Sequence, residues 1–215
     1  VLAYEIGSGG TLTNIGSFDA RANTFGVAAD PSGKFLYAAN YSASNISAYK
    51  INSSTGTLES FGLFNTGAGP WEVLVEPSGQ YLYSANSGSN NVSAFNVTAS
   101  GDLTTVGSTD TGALYPCALA TDPLGKFIFA ANNGSSVTAF RIETGGNLTN
   151  LGLFTTGITP YGIVTDPSGQ FLYTANANSH NVWAFSIGPS GALTTIGSFE
   201  AGLGPMYLTA VKLSQ

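Results

Sequence analysis

The sequence is poor in the residue types on which most catalytic and metal sites depend. It contains one cysteine, Cys117, and one histidine, His180, among 215 residues. A single cysteine excludes an internal disulfide and a cysteine-based zinc site, and a single histidine excludes a histidine cluster. Few residues are therefore available for nucleophilic mechanisms that need a cysteine or a histidine. We expect neither a metal nor a cofactor.

Charge is also scarce. Only 8% of the residues are charged, and the formal net charge is −6, whereas about a quarter of the residues are charged in average soluble domains. The six basic residues are scattered and form no basic stripe, which argues against nucleic acid and anionic membranes as partners. Hydroxyl and amide side chains must then supply the solubility. This balance is commoner outside cells, so we expect an extracellular or cell-surface protein.

Long apolar runs are absent as well. No run approaches the roughly 18–20 residues that a membrane span requires, so we expect no span. The chain begins at Val1 without a methionine and shows no signal-peptide pattern. We expect from this that a leader was removed or that the sequence was shortened.

What the sequence does contain is a repeated motif of eleven residues. Its four copies are DPSGKFLYAAN (30–40), EPSGQYLYSAN (76–86), DPLGKFIFAAN (122–132) and DPSGQFLYTAN (166–176). Successive copies begin 46, 46 and 44 residues apart. A period of this length is typical of an array of supersecondary units.

Each period contains four short strand signals, separated by turns rich in Pro, Gly, Ser and Asn. In the second period, strands a to d are predicted at 71–76, 80–86, 91–97 and 103–112. No segment shows a helical period over ten or more residues. Four antiparallel strands at this spacing predict one blade of an all-β propeller. The blades are expected near residues 25–66, 71–112, 117–156 and 161–201.

The two ends of the chain predict a further blade. Residues 1–6 match strand c, residues 11–18 match strand d, and residues 205–213 match strand a. We therefore expect a single domain, 1–215, folded as a five-bladed β-propeller whose closing blade joins residues 1–20 with 205–215. This closing blade has no copy of strand b. Three explanations stay open: a three-stranded blade, a shortened sequence, or a strand supplied by a neighbouring molecule.

The stretch DPSGKFLYAAN...NISAYKINSSTGTLES resembles the blade repeat of the lactonase-like propellers, a group that includes bacterial 6-phosphogluconolactonase. It is also similar to the YVTN repeats of cell-surface proteins, and the resemblance covers nearly the entire chain. It implies a propeller fold, usually with seven blades, and lactone hydrolysis as an activity. It also implies a His-Pro-His stretch where strand a begins. The matching positions keep the proline but contain no histidine: Pro70, Pro116, Pro160 and Pro205.

The connections that lead into strand a vary most between blades, and variable loops on a rigid scaffold usually carry function. One residue follows the proline position in each blade, and we name this set the collar: Phe25, Trp71, Cys117, Tyr161 and Met206. The collar side chains either bind a ligand, such as a sugar ring or a partner's side chain, or pack and plug the channel. Tyr115 is a further candidate ligand-binding residue beside the collar.

Two charged residues are candidates for catalysis. Glu72 follows Trp71 and is suited to act as a general base, while Arg21 is suited to hold an anionic substrate. Both are alternatively solvated charges at the rim. Because no catalytic histidine is present, we expect a non-catalytic extracellular module that binds a protein partner, a second copy of itself or a carbohydrate. The alternative is a lactonase-like hydrolase that acts on a sugar lactone through Glu72 and Arg21.

Overall fold

The computed structural model of the protein describes residues 1–211 and consists almost entirely of antiparallel β-sheet. Within these residues, all strands belong to four four-stranded sheets and one two-stranded sheet. The two-stranded sheet comes first and contains β1 (Leu2–Ile6) and β2 (Leu12–Ser17). None of the helical structure in this range is long and apolar enough to cross a membrane.

The four larger sheets are the blades, and in each of them the strands are hydrogen-bonded in chain order. Blade 1 contains β3 (Thr24–Ala29), β4 (Phe35–Asn40), β5 (Asn45–Ile51) and β6 (Leu58–Asn65). Blade 2 contains β7 (Pro70–Val75), β8 (Tyr81–Asn86), β9 (Asn91–Val97) and β10 (Leu103–Asp110). Blade 3 contains β11 (Pro116–Thr121), β12 (Phe127–Asn132), β13 (Ser136–Ile142) and β14 (Leu148–Thr155). Blade 4 contains β15 (Pro160–Thr165), β16 (Phe171–Asn176), β17 (Asn181–Ile187) and β18 (Leu193–Glu200).

The prediction of an all-β propeller with four-stranded blades is confirmed. In blade 2, the predicted strands at 71–76, 80–86, 91–97 and 103–112 differ from the observed bounds by two residues at most. The agreement follows from the repeat, because the same turn chemistry recurs in every period and marks each strand end in the same way.

The repeated DPSG motif forms the turn between the first two strands of a blade. In blade 1, the Asp30 carboxylate accepts hydrogen bonds from the backbone N–H of Lys34 (2.8 Å) and of Phe35 (2.7 Å). Gly33 has a φ of +69°, a conformation that glycine adopts at little cost. The motif therefore has a structural role, since its carboxylate is used to hold its own turn.

The hydrophobic core lies between consecutive blades and divides into three clusters, one at each junction. Buried tyrosines of the second strand extend this contact into the next blade. The hydroxyl of Tyr37 donates to the Gly101 carbonyl at 2.8 Å, and that of Tyr83 donates to the Gly146 carbonyl at 3.0 Å. Each tyrosine stabilises the contact between two blades, because its ring is buried and its hydroxyl group has a hydrogen-bond partner.

The predicted joining of the two ends into a fifth blade is not confirmed. β1 and β2 pair with each other, as expected for strands c and d, but residues 205–211 form no strand. The backbone of Met206 and Tyr207 nevertheless lies along Gly162 of β15, just as that of Trp71 and Glu72 lies along Gly26 of β3. The segment thus takes the position of an inner strand without its hydrogen bonds. In the complete blades strand a pairs only with strand b, and the sheet of β1 and β2 has no strand b among the described residues. Residues 212–215 of the predicted closing blade lie outside the described part of the chain.

Candidate functional site

The first strand of each blade lies innermost and begins with a β-bulge. In blades 2, 3 and 4 the pairing with the next strand shifts at Trp71, Cys117 and Tyr161. A bulged residue leaves the regular ladder, and its side chain is aimed away from the pleat. The bulges explain how one collar residue per blade is directed toward the propeller axis.

A cavity of about 370 Å³ opens among the inner strands, and we name it the axial cavity. All five collar residues line it, together with Glu72 and residues 207 and 208. It therefore brings together the predicted general base and four of the five predicted ligand-binding residues: Phe25, Trp71, Tyr161 and Met206.

One side of the axial cavity is aromatic. The rings of Phe25 and Trp71 are stacked at a centroid distance of 4.4 Å and an interplanar angle of 4°. Tyr41 does not itself line the cavity, but its ring lies nearly perpendicular to both, with centroid distances of 5.4 Å to Phe25 and 5.7 Å to Trp71. We name these three residues the aromatic wall. Such offset and edge contacts add about 0.5–1.5 kcal/mol per pair beyond area burial, so the wall is preformed.

Tyr41 supports the site through its contacts with Phe25 and Trp71, and the sequence analysis did not identify it. It follows the first copy of the eleven-residue motif, where the other three repeats have Ser87, Asn133 and Ala177. An aromatic residue at a position that is small or polar in every other blade was the signal that could have identified it.

Glu72 places a carboxyl group in the axial cavity. Its counterparts in the other complete blades are Gly26, Ala118 and Gly162. Oε2 of Glu72 accepts a hydrogen bond of 2.8 Å from the backbone N–H of Leu119 in β11. Among the described residues, this carboxyl has no other hydrogen bond and no ion pair.

The surroundings of Glu72 change its acidity. Burial raises its pKa to about 7, because desolvation outweighs the opposing effect of the hydrogen bond from Leu119. A carboxyl with this pKa exchanges protons near neutral pH, as a general acid–base group requires.

The neighbouring inner strand leaves room for Glu72 because it carries a glycine. A Cβ atom on Gly26 would lie 2.7 Å from the Cα of Glu72 and 2.9 Å from the carbonyl oxygen of Trp71. Both distances are shorter than van der Waals contact. Glycine at this position therefore allows β3 and β7 to approach closely enough to close the side of the cavity.

Cys117 lines the cavity, but its thiol is poorly suited to react. It is 4% exposed, and its thiol contacts the carbonyl oxygen of Pro160 at 3.2 Å. Burial, together with the charge of Glu72, raises the pKa of the Cys117 thiol to about 12. The thiolate needed for nucleophilic attack is thus disfavoured, and Cys117 acts as a small packing residue.

Two predicted site residues lie apart from the cavity lining. Tyr115 is exposed in the connection between β10 and β11, with a φ of +57°. Arg21 is exposed in the connection between β2 and β3, where its carbonyl accepts a hydrogen bond from Thr24. Neither belongs to the residues that line the axial cavity. Arg21 and Glu72 therefore do not line the same cavity.

A larger cavity of about 560 Å³ lies between blade 4 and residues 208–211. Among the described residues, Asp166 is its only charged lining residue, and the Asp166 carboxylate already accepts hydrogen bonds from the backbone N–H groups of Gln170 and Phe171. Residues 1–211 contain no cluster of His, Cys, Asp or Glu suited to hold a metal ion. The axial cavity is therefore the candidate functional site.

Fold and site together define a β-propeller whose axial cavity combines an aromatic wall with a desolvated carboxyl group. The chain belongs to the family described as lactonase, 7-bladed β-propeller, which matches residues 1–72, 63–149 and 111–209. No curated protein gave a significant match to the sequence.

Solved structures with this fold include proteins related to lactone hydrolysis. A candidate 6-phosphogluconolactonase from Bacteroides uniformis superposes with a TM-score of 0.85 at 20% identity, over 94% of this chain and 65% of that protein. One from Bacteroides fragilis gives 0.86 at 24% identity, over 98% and 67%. The periplasmic gluconolactonase of Pseudomonas aeruginosa gives 0.82 at 21% identity, over 95% and 64%. The chain thus spans about two thirds of the length of these proteins.

These findings correct the functional expectation. The expected non-catalytic structural or protein-interaction module is contradicted by the lactonase family match and by the lactonase neighbours, which favour the alternative of a lactonase-like hydrolase. The error came from giving decisive weight to the absent histidines, although a buried carboxyl can also perform general base chemistry. The extracellular location and the protein or carbohydrate partner stay predictions.

Proposed function

We propose that the protein is a lactonase-like hydrolase that opens a sugar lactone in the axial cavity. The observation that carries the proposal is the carboxyl of Glu72, desolvated and held by a single backbone hydrogen bond beside the aromatic wall. The lactonase family match supports the same reaction class.

In this reaction the ionised carboxylate of Glu72 acts as a general base toward water. It removes a proton as the water oxygen attacks the carbonyl carbon of the lactone, and a tetrahedral intermediate forms. When the intermediate collapses, the bond between the carbonyl carbon and the ring oxygen breaks. Protonated Glu72 returns the proton to this leaving oxygen, so the products are the open hydroxy acid and the regenerated carboxylate.

The aromatic wall provides the binding counterpart of this chemistry. A sugar ring presents apolar C–H faces, and aromatic rings are the side chains that cover such faces while leaving the hydroxyl groups free. Contact with the wall would orient the lactone carbonyl relative to Glu72, and orientation of this kind lowers the entropic part of the barrier.

Hydrolysis of gluconolactone, corrected for its spontaneous opening, tests the proposal. We expect catalysed opening by the protein and a loss of about 100-fold or more in kcat for Glu72→Gln, because general base catalysis contributes roughly 10²–10⁴. Glu59→Gln, an exposed glutamate in β6, is the matched control and should retain full activity. Equal rates for Glu72→Gln and the unsubstituted protein would refute the role of Glu72.

A further inference from the structure

The charges around the axial cavity bear on the kind of lactone that it accepts. Glu72 is the only charged side chain among the described residues that line the cavity. The other lining side chains are aromatic, aliphatic or sulfur-containing, or belong to glycine. A ligand in this cavity therefore faces one carboxyl group and, among the described residues, no cationic side chain.

The basic residues in the described part of the chain are engaged or placed elsewhere. Lys34 lines a separate cavity at the turn that follows β3, and Lys126 follows the equivalent turn after β11. These turns lie at the end of the inner strands, whereas the collar lies at their start. Arg141 forms an ion pair with Glu143, with 2.8 Å between Nε and Oε1.

The two remaining described cations also lie outside the cavity lining. The ammonium group of Lys50 lies 5.8 Å from the ring centroid of Phe61 in blade 1. Arg21 is exposed in the loop before β3. Five of the six basic residues are thus outside the cavity lining, and the sixth, Lys212, lies outside the described residues.

A phosphate group would be a poor ligand under these conditions. It carries close to two negative charges at neutral pH, and moving it out of water without a cationic partner is costly. A nearby carboxylate adds repulsion, because like charges brought together in a binding site disfavour association. An uncharged sugar ring avoids both penalties and gains contact with the aromatic wall.

On this basis, we propose that the axial cavity selects uncharged sugar lactones and discriminates against lactones that carry a phosphate. The inference rests on the proposed function, which supplies the reaction class. It adds that the preferred substrate is uncharged. The aromatic wall binds the ring, and Glu72, without a cation beside it in the cavity lining, opposes an anionic substituent.

Binding can be measured without turnover by using ring analogues that lack the scissile ester. Suitable probes are 1,5-anhydroglucitol and its 6-phosphate, with Trp71 fluorescence as the readout in a Trp183→Phe variant that leaves Trp71 as the only tryptophan. Calorimetric titration of the unsubstituted protein measures the same two affinities independently of that variant. We expect the uncharged ring to bind at least about tenfold more tightly, and equal or tighter binding of the phosphate would overturn the inference.

A cation placed in the cavity should reverse the preference. Met206 lines the cavity and is 45% exposed, so Met206→Arg introduces a guanidinium that can pair with phosphate. We expect this variant to bind the 6-phosphate about tenfold more tightly than the unsubstituted protein does. Leu203→Arg, at a residue that is 90% exposed and outside the lining, is the matched control and should change neither affinity.

Arg21→Ala completes the test, because Arg21 is the exposed cation on a loop that leads into an inner strand. If Arg21 held the phosphate, its removal would weaken binding of the 6-phosphate selectively, and this result would overturn the inference. We expect no change for either probe. The two proposals can be refuted separately. A protein that prefers the uncharged ring but opens no lactone would refute the proposed function and leave the inference about charge standing.

Discussion

Oε2 of Glu72 in blade 2 lies 2.8 Å from the backbone nitrogen of Leu119 in blade 3, and this hydrogen bond links two blades beside the axial cavity. β11 pairs on one side only, with β12, so backbone groups on its other edge are available to the cavity. One hydrogen bond does not offset the loss of hydration, and the pKa of Glu72 therefore rises to about 7.

The activity should depend on pH through the ionisation of Glu72. Its carboxylate is the form that removes a proton from water, so kcat/KM for lactone opening should rise as the pH increases through about 7 and then level off. Initial rates between pH 5 and 9, corrected for spontaneous opening at each pH, give this profile. Rates that are already level above about pH 6, as the ordinary glutamate pKa of 4.5 would give, would contradict the assignment.

Glu72 should also make stability depend on pH. Between pH 4.5 and about 7 the folded state holds a proton that the unfolded state has lost, so its contribution to the free energy of unfolding decreases as pH rises through this window. Glu72→Gln keeps an acceptor for the Leu119 N–H and removes this dependence. We expect equal stability of the two proteins at pH 4 and a gain for the variant on the order of 2 kcal/mol at pH 8. Urea unfolding of both proteins across this range measures the difference, and parallel curves would exclude the effect.

The aromatic wall should act on substrate binding rather than on the chemical step. Phe25 is half-exposed and stacked on Trp71, so Phe25→Ala removes ring surface from the cavity without touching Glu72. We expect KM to rise about tenfold with kcat nearly unchanged, in line with the energies of aromatic contacts. Phe61→Ala, in the outermost strand of the same blade, is the matched control and should leave KM unaltered. An unchanged KM in Phe25→Ala would argue that the wall only packs the channel.

Gly26 should be intolerant of even one methyl group. A Cβ atom there meets backbone atoms of Glu72 and Trp71 at 2.7 and 2.9 Å, and a backbone cannot swing aside as a flexible side chain can. We expect Gly26→Ala to lower the free energy of unfolding by about 1–3 kcal/mol and to reduce activity by displacing Glu72. Gly9→Ala lies in open space in the turn between β1 and β2 and is the control. Thermal unfolding of both variants distinguishes the two positions.

The candidate site could be predicted in part. The position of Glu72 and of the collar followed from the register of the repeat, because one proline-containing start of strand a recurs in every blade. Tyr41 was missed because it comes from the connection after the second strand of its blade and reaches Trp71 only when blades 1 and 2 pack together. Arg21 was paired with Glu72 from loop order alone, and loop order does not determine which side chains line a cavity.

The sequence by itself determined the strands, the turns and the propeller class. Local chemistry is sufficient for these features: an Asp or Glu that holds its own turn, a glycine with positive φ, and apolar strands repeated at a constant spacing. Only the tertiary structure decided that residues 205–211 take an inner position without forming a strand, and that Glu72 is desolvated. Both depend on what the neighbouring blade provides. Among the described residues, no strand b lies beside residues 205–211 to pair with them. The close approach of β3, β7 and β11 removes water from a single carboxyl.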